Sequence, residues 1–410
     1  MSIQRLISFS GIFTILLVAW LFSSHRKKVS LKTIFAGILI QLLMGIFVFI
    51  TPIGVKVFSF LNDAVVHILN ASYEGARFLF GPLAIPPGEN GSFGFILIFQ
   101  ALPTIIFFSA LMGALYYLRV MPFIIRQFSR LFTKLMGTSG AESLCAASNI
   151  FVGIEASTAI LPYLKKMTRS ELMAVLTTGI GTIASSMLGF YTIILHEQFP
   201  QIAGHLVSAS LISAPASLLM AKVLLPETET PETLGTHLTD KSQSASNLMQ
   251  AIIEGAMAGG KLIFGIAVLL VAFLGLVALI NIGLSGTISM KLQDLLAYPF
   301  YPFALMIGVT PADAMEVARL LGSRVILTEV PAYQELARLI AEGVVQPRSG
   351  LLATYALCGF AHVSSVAIFV GGTAALIPER TKELASLAFR SLFAATLGCL
   401  MTAAVAGTFL

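Results

Sequence analysis

Two glutamates stand where apolar residues are expected. Glu155 lies in NIFVGIEASTAIL (149–161), and Glu329 opens EVPAY (329–333). A carboxylate kept in apolar surroundings is costly unless it pairs with a base, faces a polar cavity or binds something. For Glu329 the bases Arg319 and Arg324 are close in sequence. For Glu155 none is closer than Lys165. A second group is Asn149, the Val152 carbonyl, Thr182 and the Ile183 carbonyl. Amide, hydroxyl and freed backbone oxygens suit a hard monovalent cation such as sodium. The same residues also make ordinary hydrogen bonds between membrane helices. A third group is His362 with Ser364 and Ser365, either satisfied by neighbours or open to a polar substrate. Phe360 beside it can stack on a planar ring or simply pack.

The elements that hold these residues are membrane helices. The chain has 410 residues, 57% hydrophobic and 11% charged. Soluble domains carry about a quarter charged residues. The apolar runs are about 20 residues long, the length of a helical span and twice that of a barrel strand. Lys+Arg number 25 against 20 Asp+Glu. That modest excess needs only the usual basic cytoplasmic loops and implies no nucleic-acid partner. Cys145, Cys358 and Cys399 are an odd number inside apolar segments and give no disulfide or zinc spacing.

Eight spans are predicted, at about 4–23, 32–52, 93–118, 170–195, 203–224, 250–281, 350–376 and 386–408. Residues 55–80 and 121–135 read as interfacial helices. In the latter, Arg126, Arg130 and Lys134 recur every fourth residue opposite Phe and Ile. Residues 139–167 lie between basic residues that belong on the cytoplasmic face, so the segment is expected to enter the membrane and return. A second such hairpin, from the outside, is expected within 292–345. Both termini then face out. A polar stretch, 226–247, is a cytoplasmic linker. The hairpin–span unit with GTIASSMLG (181–189) and the one with GFAHVSSVA (359–367) form an inverted repeat, the mark of a secondary transporter. The expected fold is therefore an all-α polytopic membrane protein. It divides into scaffold spans and interfacial helices (1–135), first hairpin with spans 4 and 5 (136–224), linker (225–249), span 6 (250–290), and second hairpin with spans 7 and 8 (291–410).

Several stretches resemble the concentrative nucleoside transporter family over nearly the whole chain. They include LPTIIFFSALMGALYYL (102–118), MGTSGAESLCAASNIFVG (136–153), LPYLKKMTRSEL (161–172), VAFLGLVALIN (271–281), EVPAY (329–333) and ALCGFAHVSSVAIFVGG (356–372). The resemblance implies a bacterial inner-membrane homotrimer that couples nucleoside uptake to a cation, by elevator-like motion and without a cofactor. It further implies that Glu155 and Met187 contact the base with Phe360 as ring neighbour. Glu329 and Ser365 would bind the ribose. Sodium would lie at Asn149, Val152, Thr182 and Ile183.

The chain departs from that pattern in places. The usual G-Q-T-E-A-P is Gly153-Ile154-Glu155-Ala156-Ser157-Thr158, one residue shorter and lacking the Gln and Thr. The Asn of G-F-A-N-x-S-S is His362. The Asn before the second-hairpin Glu is Thr328, and the Lys-Thr upstream is Arg324-Val325. Lys261 and Gly265 stand where Gln and Asn are common. A substrate with a different hydrogen-bond pattern, such as a modified nucleoside, fits these departures. Protons through Glu155 or His362 are the alternative to sodium. An intramembrane hydrolase using Glu155, Glu329 and His362 is the competing class, although HExxH and GxSxG are absent. A passive channel is a third reading.

Overall fold

Apolar runs this long fold as helices because only a helix satisfies every backbone group within one segment. The computed structural model describes residues 3–86, 89–236, 238, 245–287 and 289–410, without the side chains of residues 154, 155 and 287. The described residues form no strand, only one isolated bridge between Ser139 and Leu234. The first half holds α1 (Ile3–Leu21), α2 (Leu31–Phe49), α3 (Pro52–Phe80), α4 (Leu97–Gln100), α5 (Pro103–Tyr117), α6 (Val120–Met136), α7 (Gly140–Ser148), α8 (Leu161–Leu164), α9 (Arg169–Gly181), α10 (Ser185–Leu195) and α11 (Ile202–Leu224). The second holds α12 (Leu248–Thr287), α13 (Leu292–Met306), α14 (Ala314–Ile326), α15 (Glu329–Ala341), α16 (Pro347–Leu357), α17 (Val363–Leu376) and α18 (Thr381–Phe409).

Eight helical stretches of the described residues are long and apolar enough to cross a membrane. Seven match the expected spans; the eighth is residues 52–84, expected at the interface. The polar residues that argued for a surface position are partly absorbed by packing. Asn62 is buried, and its Oδ1 accepts the Gly204 N–H of α11 at 3.2 Å. Span 350–376 is instead broken at 358–362, so neither α16 nor α17 reaches that length. The fourth span is broken likewise at 182–184, between α9 and α10. In α6 the expected faces appear: Arg126, Arg130 and Lys134 are exposed, and Ile125, Phe132 and Met136 are buried.

The segment 139–167 leaves the bundle end and comes back to it. Ser139 and Thr168 each open a helix with a capping box, closed by Glu142 and Glu171. Such boxes satisfy two of the orphan N–H groups at a helix start. The two starts are tied to each other, because Ser139 Oγ donates to Glu171 Oε1 at 2.5 Å. Lys222 of α11 closes the cluster, 2.8 Å from Glu142 and 3.2 Å from Glu227. The second excursion has α14 and α15 as its limbs and turns at Leu327–Thr328. Its ends meet where the Gln346 N–H reaches Asp313 Oδ2 (3.3 Å), beside Thr310 Oγ1 on the same carboxylate (2.7 Å). It is shorter than the expected 292–345, because 292–306 forms a separate helix, α13, packed on α14.

The two excursions start from opposite ends of α1. The first base adjoins residues 222–227, next to the Ser24 N–H bond to Leu224 O at 3.0 Å. The second adjoins the start of α1, where Ser8 Oγ donates to Ile307 O at 2.8 Å and Arg348 to Gly308 O at 2.6 Å. Hairpin, broken helix and long helix thus occur twice, inverted.

The longest helix, α12, has 40 residues and little buried surface. It crosses α5 closely because Gly255, Gly259 and Gly113 carry no side chain. A Cβ on Gly255 would stand 2.4 Å from Ser109 O, and one on Gly113 2.4 Å from Ala251 O. This is the small-residue contact of membrane helices.

Candidate functional site

The breaks in the two discontinuous helices touch. The Phe360 N–H donates to Thr182 O at 3.3 Å. Gly359 permits the approach: a Cβ there would lie 2.6 Å from Cys399 Sγ and 2.9 Å from Gly181 O. Each break frees backbone groups that side chains must serve. His362 is the N-cap of α17, and its Nδ1 accepts the Ser365 N–H at 3.2 Å. Thr328 caps α15, its Oγ1 accepting the Val330 N–H at 3.3 Å.

These caps bring the second-half residues together. Glu329, at the first position of α15, is buried. His362 Nε2 stands 2.8 Å from Glu329 Oε2, an ion-pair distance, though off the direction of a regular hydrogen bond. Tyr191 of α10 donates its hydroxyl to Glu329 Oε1. Because Nδ1 of His362 accepts a backbone N–H, Nε2 carries the ring hydrogen and lies beside the carboxylate. Ser364 Oγ lies 2.7 Å from the same Nδ1, and Ser365 Oγ donates to His362 O at 2.8 Å. Arg319 and Arg324, the sequence neighbours of Glu329, do not pair with it. Arg319 takes Asp294 at 2.7 Å and Glu316 at 2.5 Å, and Arg324 donates to Ala356 O at 2.6 Å.

A cavity of about 430 Å³ opens beside this group. Val152, Met187, Glu329, Phe360, His362 and Ser365 all line it. Sites of roughly 300–1,000 Å³ with mostly apolar walls and a few convergent polar groups hold small molecules. Here Thr328, Glu329, His362 and Ser365 supply polar groups from the second half, and Ser148, Ser186 and Glu254 add others. Met187, Phe360 and α12 residues such as Leu262 and Ile266 supply apolar surface.

Asn149, Thr182 and Ile183 are buried just behind the cavity wall. Asn149 caps the end of α7 and donates Nδ2 to Thr178 Oγ1 at 3.3 Å. Its Oδ1 is buried with no hydrogen-bond partner. Thr182 ends α9, and its hydroxyl donates to Thr178 O at 2.8 Å. An orphan amide oxygen at a helix break, beside a hydroxyl oxygen, is a donor set that fits a sodium ion. The Glu155 side chain lies outside the described residues; its backbone is in the 3₁₀ turn Ile154–Ile160 after Gly153. The cysteines are free and buried.

Sequence reasoning missed Tyr191. A signal was present: Tyr191 lies four residues after Met187 and so shares its helix face. It is fully buried, stacks on Tyr333 with ring centroids 4.5 Å apart, and holds Glu329 from behind. Tyr191→Phe keeps the stack and removes one hydrogen bond. It should weaken substrate affinity by about 1 kcal/mol, roughly fivefold. Competition uptake by the variant measures this, and an unchanged affinity would remove Tyr191 from the site.

Comparisons with known proteins agree along the chain. The family described as Na+ dependent nucleoside transporter C-terminus matches residues 205–407, and its N-terminus counterpart matches 10–83. A family described as Nucleoside recognition matches 98–197. Nucleoside permease NupC of Helicobacter pylori is 34% identical over 100% of this chain and 99% of its own. Solute carrier family 28 member 3 of Mus musculus is 38% identical over 98% of this chain. The chain spans about three fifths of the length of such mammalian relatives, 59% for the mouse protein. The structure of CNTnw in an inward-facing substrate-bound state superposes with a TM-score of 0.90 at 34% identity, covering 98% of each chain. An outward-facing form of CNTnw superposes with a TM-score of 0.89 at 32% identity, covering 99% of this chain and 98% of that one. The matched families are transporters, which sets the intramembrane hydrolase aside. With its apolar helices, inverted broken-helix units and these matches over its length, the chain is a multi-pass membrane protein that belongs to the Na+ dependent nucleoside transporter family.

Proposed function

We propose that the protein is a sodium-coupled symporter that imports nucleosides across the inner membrane as a homotrimer, each protomer moving its substrate by an elevator-like step. The observation that carries this reading is the mixed lining of the cavity. Tyr191, Glu329 and His362 present a carboxylate beside a ring N–H, which suits sugar hydroxyls that both donate and accept. Met187 and Phe360 line the same cavity with apolar surface of the kind a flat base packs on. Ser365 adds to the ribose contacts and Glu155 to the base contacts. The orphan Asn149 Oδ1, with Thr182 and the Val152 and Ile183 carbonyls, would hold the ion. Support for sodium over protons is the orphan Asn149 Oδ1 and the match to a family described as Na+ dependent. The relatives' solved inward- and outward-facing forms support alternating access rather than a channel. The shortened first-hairpin motif leaves room for a nucleoside of unusual base.

The test is uptake into proteoliposomes with a panel of natural and modified nucleosides, with and without a sodium gradient. Uphill accumulation that requires sodium is the expected result. Uptake that only equilibrates would make the protein a channel, and accumulation driven by a pH gradient alone would replace sodium by protons.

In this reading the first hairpin is re-entrant from the cytoplasm and both termini face out. Lys134 and Lys166 flank it and are exposed, and the native cysteines are buried. Cysteines placed at these two positions should both react with an impermeant reagent from the cytoplasmic side. Reaction from opposite sides would mean that the segment crosses.

A further inference from the structure

The inverted repeat sets Asn149 and Arg324 in matching places. Asn149 ends the first limb of hairpin one and reaches Thr178, in the last turn of half-helix α9. Arg324 stands in the last turn of the first limb of hairpin two and reaches Ala356 O, in the last turn of half-helix α16. One place holds a neutral amide with an unpartnered oxygen. The other holds a fixed positive charge. Arg324 is wholly buried. Its Nη1 donates to Ala356 O at 2.6 Å and the Cys399 thiol lies against the guanidinium, while Nε and Nη2 make no regular hydrogen bond. Arg319 occupies Asp294 and Glu316, and Glu329 faces His362, so no ion pair is left for Arg324 among the described residues.

A buried guanidinium without a carboxylate needs another source of negative potential. The carbonyl end of a helix supplies one, through unpaired C=O groups and the macrodipole. Half-helix α16 ends at Leu357, inside the protein, with the Ala356 carbonyl turned toward this charge. We infer that Arg324 is a tethered cation that holds the end of α16 as a bound sodium ion would hold the end of α9. The second repeat then takes no ion of its own, and one sodium accompanies each nucleoside. Arg324 is a positioning residue: it acts through the 358–362 break, which carries Phe360 and His362 into the cavity. The inference rests on the sodium reading above.

The experiment uses the full chain in proteoliposomes, with the best nucleoside of the panel and radioactive sodium. The wild type should move one sodium per nucleoside with a Hill coefficient of one. A ratio of two overturns the inference and needs no variant. Arg324→Gln should lower uptake at wild-type saturating sodium by about tenfold or more, and Arg324→Lys should restore most of it, because the charge and not the fork is what matters. Wild-type uptake and Hill coefficient in Arg324→Gln would also overturn it. If the wild type proves indifferent to sodium, the sodium reading fails on its own. Nucleoside binding by calorimetry then decides: equal affinity in wild type and Arg324→Gln refutes the tethered charge, and a loss recovered by Arg324→Lys upholds it.

Discussion

Glu329→Gln should weaken nucleoside affinity by about ten- to a hundredfold while leaving the fold intact. The side chain keeps its shape, so the loss comes from charge and hydrogen-bond direction. Glu329 Oε1 takes the Tyr191 hydroxyl and Oε2 faces the N–H of His362. A Gln that still accepts from Tyr191 turns its NH₂ toward that ring N–H, setting donor against donor. The conflict is relieved only if His362 changes tautomer, which forfeits its cap on the Ser365 N–H. Charge-assisted hydrogen bonds contribute about 1.5–3 kcal/mol, roughly twice the neutral value, which gives the stated range. Competition uptake at fixed sodium measures it. Wild-type affinity in a folded variant would take Glu329 out of the substrate site.

The second large effect is expected at Asn149. Asn149→Ala removes the orphan Oδ1 and the Nδ2 bond to Thr178. Without that oxygen the half-saturating sodium concentration should rise by at least about tenfold, consistent with loss of one good polar ligand. Below that concentration a weak, nearly sodium-independent uptake should remain, since Glu329, Tyr191 and His362 are untouched. The measurement is uptake against sodium concentration at constant pH. Wild-type sodium dependence in the variant would move the ion elsewhere in the protein.

Much of this architecture is legible in the residues. Apolar length fixes most spans, and the fourfold spacing of Arg126, Arg130 and Lys134 fixes which face of α6 is exposed. A glycine and a carboxylate in the 149–161 run mark the first turn, and matched Ser pairs mark the two broken helices. The depth of α3 is less legible. Its polar residues look the same whether they meet water or, as Asn62 does, a neighbouring helix's backbone. The partner of Glu329 could not be read either. Arg319 and Arg324 are nearer in sequence, but α14 turns them toward Asp294, Glu316 and Ala356. His362 is 33 residues away and meets Glu329 only because a capped turn and a broken helix converge. Local spacing finds residues on one element, and such a pairing belongs to two.

The dimensions of α12 carry a consequence for the surrounding lipid. Forty residues of helix extend about 60 Å, and a hydrocarbon core is about 30 Å thick. Its most apolar window has a mean hydropathy of 3.1 and is 11% buried, so the faces turned away from α5 and the cavity are available to acyl chains. Lys261, just before that window, is the one base in α12 and marks a depth that must stay near headgroups or a polar neighbour. Where apolar length exceeds the core, a helix tilts, kinks or thickens the bilayer around it. The glycines at the crossing with α5 let α12 pivot there if it tilts. Hydrophobic mismatch thus becomes a mechanical load on the wall of the cavity: a thinner bilayer tips α12 further and a thicker one rights it.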